Sequence, residues 1–361
     1  MTNFAACKSL YLWAIRRLPS GGLLYLWSVP LPEKALIARI LRQTQITGPT
    51  IGPRGRDTIL RADTHSRVAA LLRGIGDDCA ILRLPAGHEA LVTTDFSLEG
   101  VHFRRLWHPP DSVGHRCLAR GLSDIAAMGG TPLAAFLSLA LPEKLPQRWV
   151  DAFMRGFLTL AKKFSLPLAG GDTAQSPGGV MADIVVLGSA PSGTAVLRSG
   201  ARPGDSLYVT GELGGSELLL QRLLKGSLKK AQAGRHPALF FPVPRVATGR
   251  MLRERKLAVA MIDISDGLST DLRHLCEESG VGARIYAESL PAAGGPTNLR
   301  LALHGGEDYE LLFAARHKLP ARIGGVRVTR IGEVTRGNKV VLVRGGKPRD
   351  LEAGGWEHFR R

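Results

Sequence analysis

Residues 111–130 read DSVGHRCLARGLSDIAAMGG. A proline-free run that closes on two glycines is the pattern of one long helix with a stop. Asp111 is placed to be its N-cap. Along the helix, Cys117, Gly121, Asp124 and Met128 fall on one face at the 3.6-residue period. A small, apolar face belongs inside, so Asp124 is expected to be buried with it. A carboxylate there is unfavourable unless an arginine or a metal ion compensates it. Both alternatives are open at this point.

Outward from that helix the chain alternates. Strands are expected at 90–94, 133–141 and 180–190, with a helix at 149–164. A second unit opens at the turn 202–205 and continues with a strand at 206–210. Helices at 216–224 and 244–254, a strand at 257–264 and a helix at 268–279 follow. This alternation predicts an α/β (α+β) protein of two domains, 31–192 and 200–361, divided where Pro, Ser and Gly cluster. Toward the N-terminus, 33–41 reads as a short amphipathic helix and 44–67 as a basic loop. Residues 1–30 carry Arg16 and Arg17 between short apolar runs and no acidic residue. They read as a disordered extension, with a targeting segment or a peripheral anchor as alternatives. No run is long enough for a membrane span.

The bulk numbers agree with a globular chain. Of 361 residues, 44% are hydrophobic and 22% charged. The formal charge of +17 suggests either a solvated basic surface or a nucleic-acid partner, and no nucleic-acid-binding motif accompanies it. Cys7, Cys79, Cys117 and Cys276 form no CxxC pair. Neither a zinc site nor a disulfide framework is expected, and the four read as small buried hydrophobes in a reducing, cytoplasmic compartment.

Apolar runs repeatedly end in carboxylates flanked by Gly, Ser or Thr. They are Gly74-Ile75-Gly76-Asp77-Asp78, Thr93-Thr94-Asp95, Ser123-Asp124, Gly170-Gly171-Asp172-Thr173 and Asp263-Ile264-Ser265-Asp266-Gly267. A sixth, Gly305-Gly306-Glu307-Asp308-Tyr309-Glu310, looks similar. Each alone is open to a bland reading: Asp95 as a turn residue, Gly170-Gly171-Asp172 as a glycine turn. Together they suit Mg²⁺, which binds through a few carboxylates plus substrate phosphates. Neither a Walker A motif nor the HRD of a protein kinase is present.

The segments GIGDDCA (74–80), TTDFSLEGVHF (93–103), RGLSDIAAMGGTP (120–132), GGDT (170–173), DISDGLSTDL (263–272), HGGEDYELLF (304–313) and GWEHF (355–359) resemble the thiamine-monophosphate kinase family. That family lies in the superfamily of aminoimidazole ribonucleotide synthetase-like ATP-binding enzymes. The resemblance runs from about residue 33 to the C-terminus. It implies an aminoimidazole ribonucleotide synthetase-like fold, whose N-terminal domain dimerises through its sheet and whose C-terminal α/β domain contributes to the substrate site. It also implies a homodimer that uses ATP and Mg²⁺ to convert thiamine monophosphate to thiamine diphosphate. By the same resemblance Asp78, Thr93, Thr94, Asp95, Asp124, Asp172, Asp263 and Asp266 would be metal ligands, with Asp95 and Asp124 essential for turnover. Gly171, Asp172, Arg198 and Ser265 would contact ATP. His102, Glu307 and Trp356 would contact thiamine monophosphate. The first 30 residues have no counterpart in the family pattern, and the stretch between 41 and 74 is longer and more basic than that pattern.

The expected chemistry needs no strong base. The acceptor is a phosphate monoester, mostly deprotonated at neutral pH. The obstacle is repulsion between two anions, so cations held by the aspartates would neutralise and align them for direct in-line transfer. Rival expectations are another ATP-dependent synthetase of the superfamily, or a basic nucleic-acid-binding protein. Neither a nucleic-acid nor a membrane partner is expected.

Overall fold

The computed structural model describes residues 30–45, 70–76, 78–227, 233, 240–357 and 359. The expected extension before residue 30, most of the basic loop and Asp77 lie outside the described residues. In chain order the first half holds α1 (Glu33–Gln45), β1 (Leu71–Arg73), β2 (Ile81–Leu82), β3 (His88–Leu98), α2 (Pro110–Ala127), β4 (Thr131–Pro142), α3 (Gln147–Lys163), β5 (Leu168–Ser176) and β6 (Met181–Pro191). The second half holds β7 (Ser206–Thr210), α4 (Gly215–Leu224), α5 (Val246–Glu254), β8 (Ala260–Ile264), α6 (Leu268–Ser279), β9 (Gly282–Tyr286), α7 (Leu299–His304), β10 (Glu310–Ala315), β11 (Arg322–Ile323), β12 (Val326–Thr335), β13 (Val340–Arg344) and β14 (Lys347–Asp350).

Strands β3, β6, β4 and β5 form a four-stranded sheet in that order, with β4 and β5 parallel and the other pairs antiparallel. The second half forms a sheet of order β14-β13-β9-β12-β7-β10-β8, with β11 beside β12. Helix α2 lies between them. It packs on β3, β6 and α3 on one side and on α5, β8 and β10 on the other. One apolar core therefore runs from Leu118, Leu122 and Val186 through to Tyr208, Met261, Leu311 and Phe313. A second core fills the far side of the larger sheet.

Three expectations change. Asp111 is not the N-cap of α2. Pro109 takes that position, and Asp111 falls in the first turn. The cause is Pro110, whose fixed φ and missing N–H suit the first helical position. The Gly170-Gly171-Asp172 segment is not a turn but the middle of β5. A Cβ at Gly171 (φ +151°) would run into the Leu137 carbonyl oxygen, so glycine is what lets β5 close on β4. Of the described cysteines, Cys117 and Cys276 are buried, but Cys79 is exposed.

Candidate active site

Side chains alternate across β3, and Thr93 and Asp95 face α2. Thr93 Oγ1 donates a hydrogen bond to Asp124 Oδ2. One residue earlier on α2, Ser123 Oγ donates to Asp263 Oδ2 at 2.6 Å, tying the helix to β8. Asp263 sits inside a wholly buried strand. The three carboxylates Asp95, Asp124 and Asp263 thus come from three elements and share one site. Burial, then the charge of Asp124, pushes the Asp95 carboxyl up to about 8, with Arg120 opposing. Burial, then Asp124, pushes Asp263 up to about 7. Burial raises Asp124 as well, against the hydrogen bond from Thr93 and the charges of Arg198 and Arg120. Asp95 Oδ2 is buried with no hydrogen-bond partner among the described residues. Thr94 points the other way, and its Oγ1 donates to Asp183 at 2.9 Å on the open face of the sheet.

The loop after β8 lies beside this cluster, and Asp266 acts electrostatically on Asp263. Backbone N–H groups of Ser265, Asp266 and Gly267 converge on Asp271 Oδ2 at 3.0–3.2 Å. Burial, then Asp263 and Asp266, pushes Asp271 up to about 8. Ligand atoms of Asp266, Asp271 and His274 lie within 4.8 Å of one another, so they could hold a cation. The same loop places two further segments through its carbonyls. Glu307 N–H donates to Ser265 O at 2.7 Å and Trp356 N–H to Asp266 O at 2.9 Å. Trp356 borders a cavity of about 300 Å³ with Asp266, Thr270 and His274, at the lower end of small-molecule sites.

The sixth acidic segment differs from the Asp95, Asp124 and Asp263 cluster, because two of its three acids pair directly with arginine. Glu307 takes Arg116 Nη2 at 2.8 Å and Arg120 Nη2 at 2.5 Å. Burial works against its charge, but the two guanidinium groups hold it down at about 2. Asp308 accepts the N–H groups of Gly214 and Ser216 at 2.5 and 3.2 Å, at the start of α4. Glu310 pairs with Arg245 and accepts from Thr210 Oγ1. His102 accepts the Leu98 N–H at Nδ1, 3.0 Å away. It lines a small cavity with Ser97, Arg116, Arg120 and Glu307. His102 and Glu307 therefore meet, whereas Trp356 borders the other cavity.

Asp78 lies in the connection between β1 and β2, and Asp172 lies on β5; both are exposed. Their segments are neighbours, since a Cβ on Gly74 would come within 3.6 Å of the Ala169 carbonyl oxygen. Arg198 is exposed and acts on Asp124 and Asp263. Sequence reading did not single out Arg116, Arg120, Asp271 or His274. The spacing Arg116, Arg120, Asp124 was visible as one helical stripe. Its meaning was not, because Glu307 lies 191 and 187 residues from the two arginines.

Comparison with known proteins now bears on this geometry. The family model described as AIR synthase related protein, N-terminal domain, matches residues 76–190, and its C-terminal counterpart matches residues 202–345. Thiamine-monophosphate kinase of Salmonella typhimurium is 37% identical over 303 residues, spanning 79% of this chain and 91% of its own. The crystal structure of thiamine-monophosphate kinase from Stenotrophomonas maltophilia K279a superposes with a TM-score of 0.71 at 34% identity, covering 88% of this chain and 96% of that one. AaThiL complexed with AMPPCP and TMP superposes with a TM-score of 0.67 at 33% identity, covering 82% and 93%.

Proposed function

We propose how this site works from one premise: the chain belongs to the AIR synthase related family and, within it, to the thiamine-monophosphate kinases. It is a phosphotransferase that uses ATP to phosphorylate thiamine monophosphate to thiamine diphosphate. Asp95, Asp124 and Asp263 are the centre of its divalent-cation site. The observation that carries this is the shared burial of three carboxylates without a matching set of cationic side chains among the described residues, with Asp95 Oδ2 left unpartnered among them. Such a cluster raises its own proton affinity, and a hard divalent ion suits its oxygens. Arg120 does not fill the gap, because it is engaged with Glu307. Mg²⁺ is the ion of choice, and when bound it would neutralise the two phosphates and bring them together.

The chain's own residues set the rest. Thr93 and Ser123 orient Asp124 and Asp263 by donating to one oxygen of each. Asp266, with Asp271 and His274, offers a further cation position. Asp78 and Asp172, exposed on neighbouring segments, would hold cations on the ATP side, whereas the Thr94 side chain is turned to the other face of β3. Gly171, Ser265 and Arg198 would meet the nucleotide, and the Arg198 charge favours its phosphates. His102 and Glu307 would meet one part of thiamine monophosphate, and Trp356 would stack on a ring in the larger cavity. The acceptor phosphate arrives as an anion, so no residue has to remove a proton.

The open face of the four-stranded sheet supports a homodimer. Val92 and Phe96 of β3 are 67% and 60% exposed there, on a strand that ends the sheet among the described residues. A cytoplasmic location agrees with the substrates. No helix among the described residues is long and apolar enough to cross a membrane.

The test is formation of thiamine diphosphate from thiamine monophosphate and Mg-ATP by the purified protein. Asp95→Asn and Asp124→Asn are expected to lower turnover by about 10³-fold or more, with circular dichroism unchanged. Turnover within a few-fold of wild type in either variant would refute the cation roles.

A further inference from the structure

Arg116, Arg120 and Asp124 run along one face of α2 at i, i+4 and i+8. Arg120 is the middle member and acts in two directions. Its Nη2 donates to Glu307 Oε1 at 2.5 Å, and its charge acts on Asp95 and Asp124. Its Nε is buried without a hydrogen-bond partner among the described residues, as is Asp95 Oδ2. A buried donor and a buried acceptor each left without a partner are unfavourable in a finished fold. The guanidinium is committed to Glu307 even though Arg116 already holds that carboxylate through Oε2 at 2.8 Å. Two guanidinium groups on one carboxylate leave a surplus positive charge, and Asp95 is the acid beside it. Tyr309 fixes the arrangement from behind: it is buried, its OH lies 3.4 Å from Glu307 Oε1, and Arg116 sits over its ring.

We propose that Arg120 is a positioning residue that couples the acceptor-binding loop to the cation centre, fixing Glu307 with one arm while its remaining charge acts on Asp95 without pairing with it. This rests on the reading above, in which Glu307 meets thiamine monophosphate and Asp95 holds a divalent ion. Two effects of opposite sign follow. Without the Arg120 charge, a divalent ion meets less repulsion at Asp95 and binds more tightly. Without the Arg120 arm, Glu307 keeps only one guanidinium partner, Arg116, and recognises the acceptor less well. A residue that merely supports the fold would not improve one function while impairing the other.

The experiment uses the full chain and two readouts: Mn²⁺ affinity of the metal-free protein by electron paramagnetic resonance, and KM and kcat for thiamine monophosphate at saturating Mg-ATP. Arg120→Gln is expected to tighten Mn²⁺ binding about threefold. It is also expected to raise KM about tenfold, with kcat within about twofold. Arg120→Lys keeps the charge but not the fork, so its Mn²⁺ affinity should match wild type while KM stays raised. Glu307→Gln approaches the coupling from the other side, and covers the case in which Arg120→Gln does not fold. With its partner neutral, the Arg120 charge acts more fully on Asp95, and Mn²⁺ binding should weaken about threefold. Unchanged or weaker Mn²⁺ binding in a folded Arg120→Gln, an unchanged KM there, or unchanged Mn²⁺ binding in Glu307→Gln overturns the proposal. If wild-type protein binds no Mn²⁺, the cation centre itself fails and the role of Arg120 falls with it. If wild type binds and the variants do not shift, only the role of Arg120 falls.

Discussion

Asp95 and Glu307 share a neighbour in Arg120 yet move in opposite directions. Burial and Asp124 push Asp95 up to about 8, whereas Arg116 and Arg120 overcome burial and hold Glu307 down at about 2. The difference is commitment: Glu307 has two direct guanidinium partners, whereas Asp95 has a charge nearby and a second oxygen without a hydrogen-bond partner among the described residues. Asp263 and Asp308 at about 7 and Asp271 at about 8 join Asp95 above the ordinary 3.8. A carboxyl raised in the folded state holds its proton more tightly there than in the unfolded chain. Stability from these groups is therefore lost as pH rises toward 8. The buried His108 and His115, lowered to about 4 by burial, act oppositely, adding stability as pH rises through the ordinary 6.5. Above that value they are neutral in both states and drop out. Glu307 contributes stability above its ordinary 4.5 and loses it only in acid. Between about pH 6.5 and 8, the melting temperature of the metal-free protein should fall. Asp95→Asn should shallow the fall, and added Mg²⁺ should remove most of it. Differential scanning calorimetry in a chelating buffer checks this, and a flat or rising melting temperature for metal-free wild type would contradict it.

Helix α2 is the element through which these residues meet, and close packing holds it. A Cβ on Gly156 of α3 would run into the Asp111 carbonyl oxygen, and one on Gly114 of α2 into that of Phe153. The two helices therefore touch backbone to backbone, and neither side offers a flexible side chain that could yield. Gly156→Ala must push α3 away from α2. Overpacking of this kind is expected to destabilise the protein by about 3 kcal/mol, with the cation site loosened because α2 carries Asp124 and Ser123. Urea unfolding and Mn²⁺ affinity measure the two effects, and a variant as stable as wild type would show that the helices can part freely. The same helix shows how much the sequence revealed. Its length and its glycine stop were legible because they are local. Its burial on both flanks was not, since the β8 and β10 surfaces come from more than a hundred residues later. Strand β5 was hidden for another reason: glycine carries no side chain to display a period of two, so Gly170-Gly171 looked like a turn. The aspartates of the cluster were legible individually, as charges in apolar company. The arginine pair on Glu307 was not, because nothing local distinguishes a paired acid from a metal ligand.

Across the whole molecule, the two faces of the four-stranded sheet have different fates. The face toward α2 and α3 carries Leu137, Leu139, Ile184 and Val186, all buried. The opposite face carries Val92 and Phe96 on β3, with Leu187 and Asp183 as their cross-strand partners on β6. In the homodimer proposed above this exposed apolar surface would be the interface, and a second copy of the same sheet would be self-complementary to it. Phe96 is 60% exposed, so replacing it leaves the core of the protomer intact. Phe96→Asp would instead force an unpaired carboxylate from each copy into the shared interface, which is strongly unfavourable. The variant is therefore expected to melt as a folded protein but to elute at half the wild-type mass in size-exclusion chromatography with light scattering. Because β3 also carries Thr93 and Asp95 on its other face, losing the partner should free the strand that aligns the cation centre. Turnover should then fall about tenfold or more at saturating substrates. A Phe96→Asp protein that keeps the wild-type mass would place the dimer contact elsewhere, and a fully active monomer would separate assembly from catalysis.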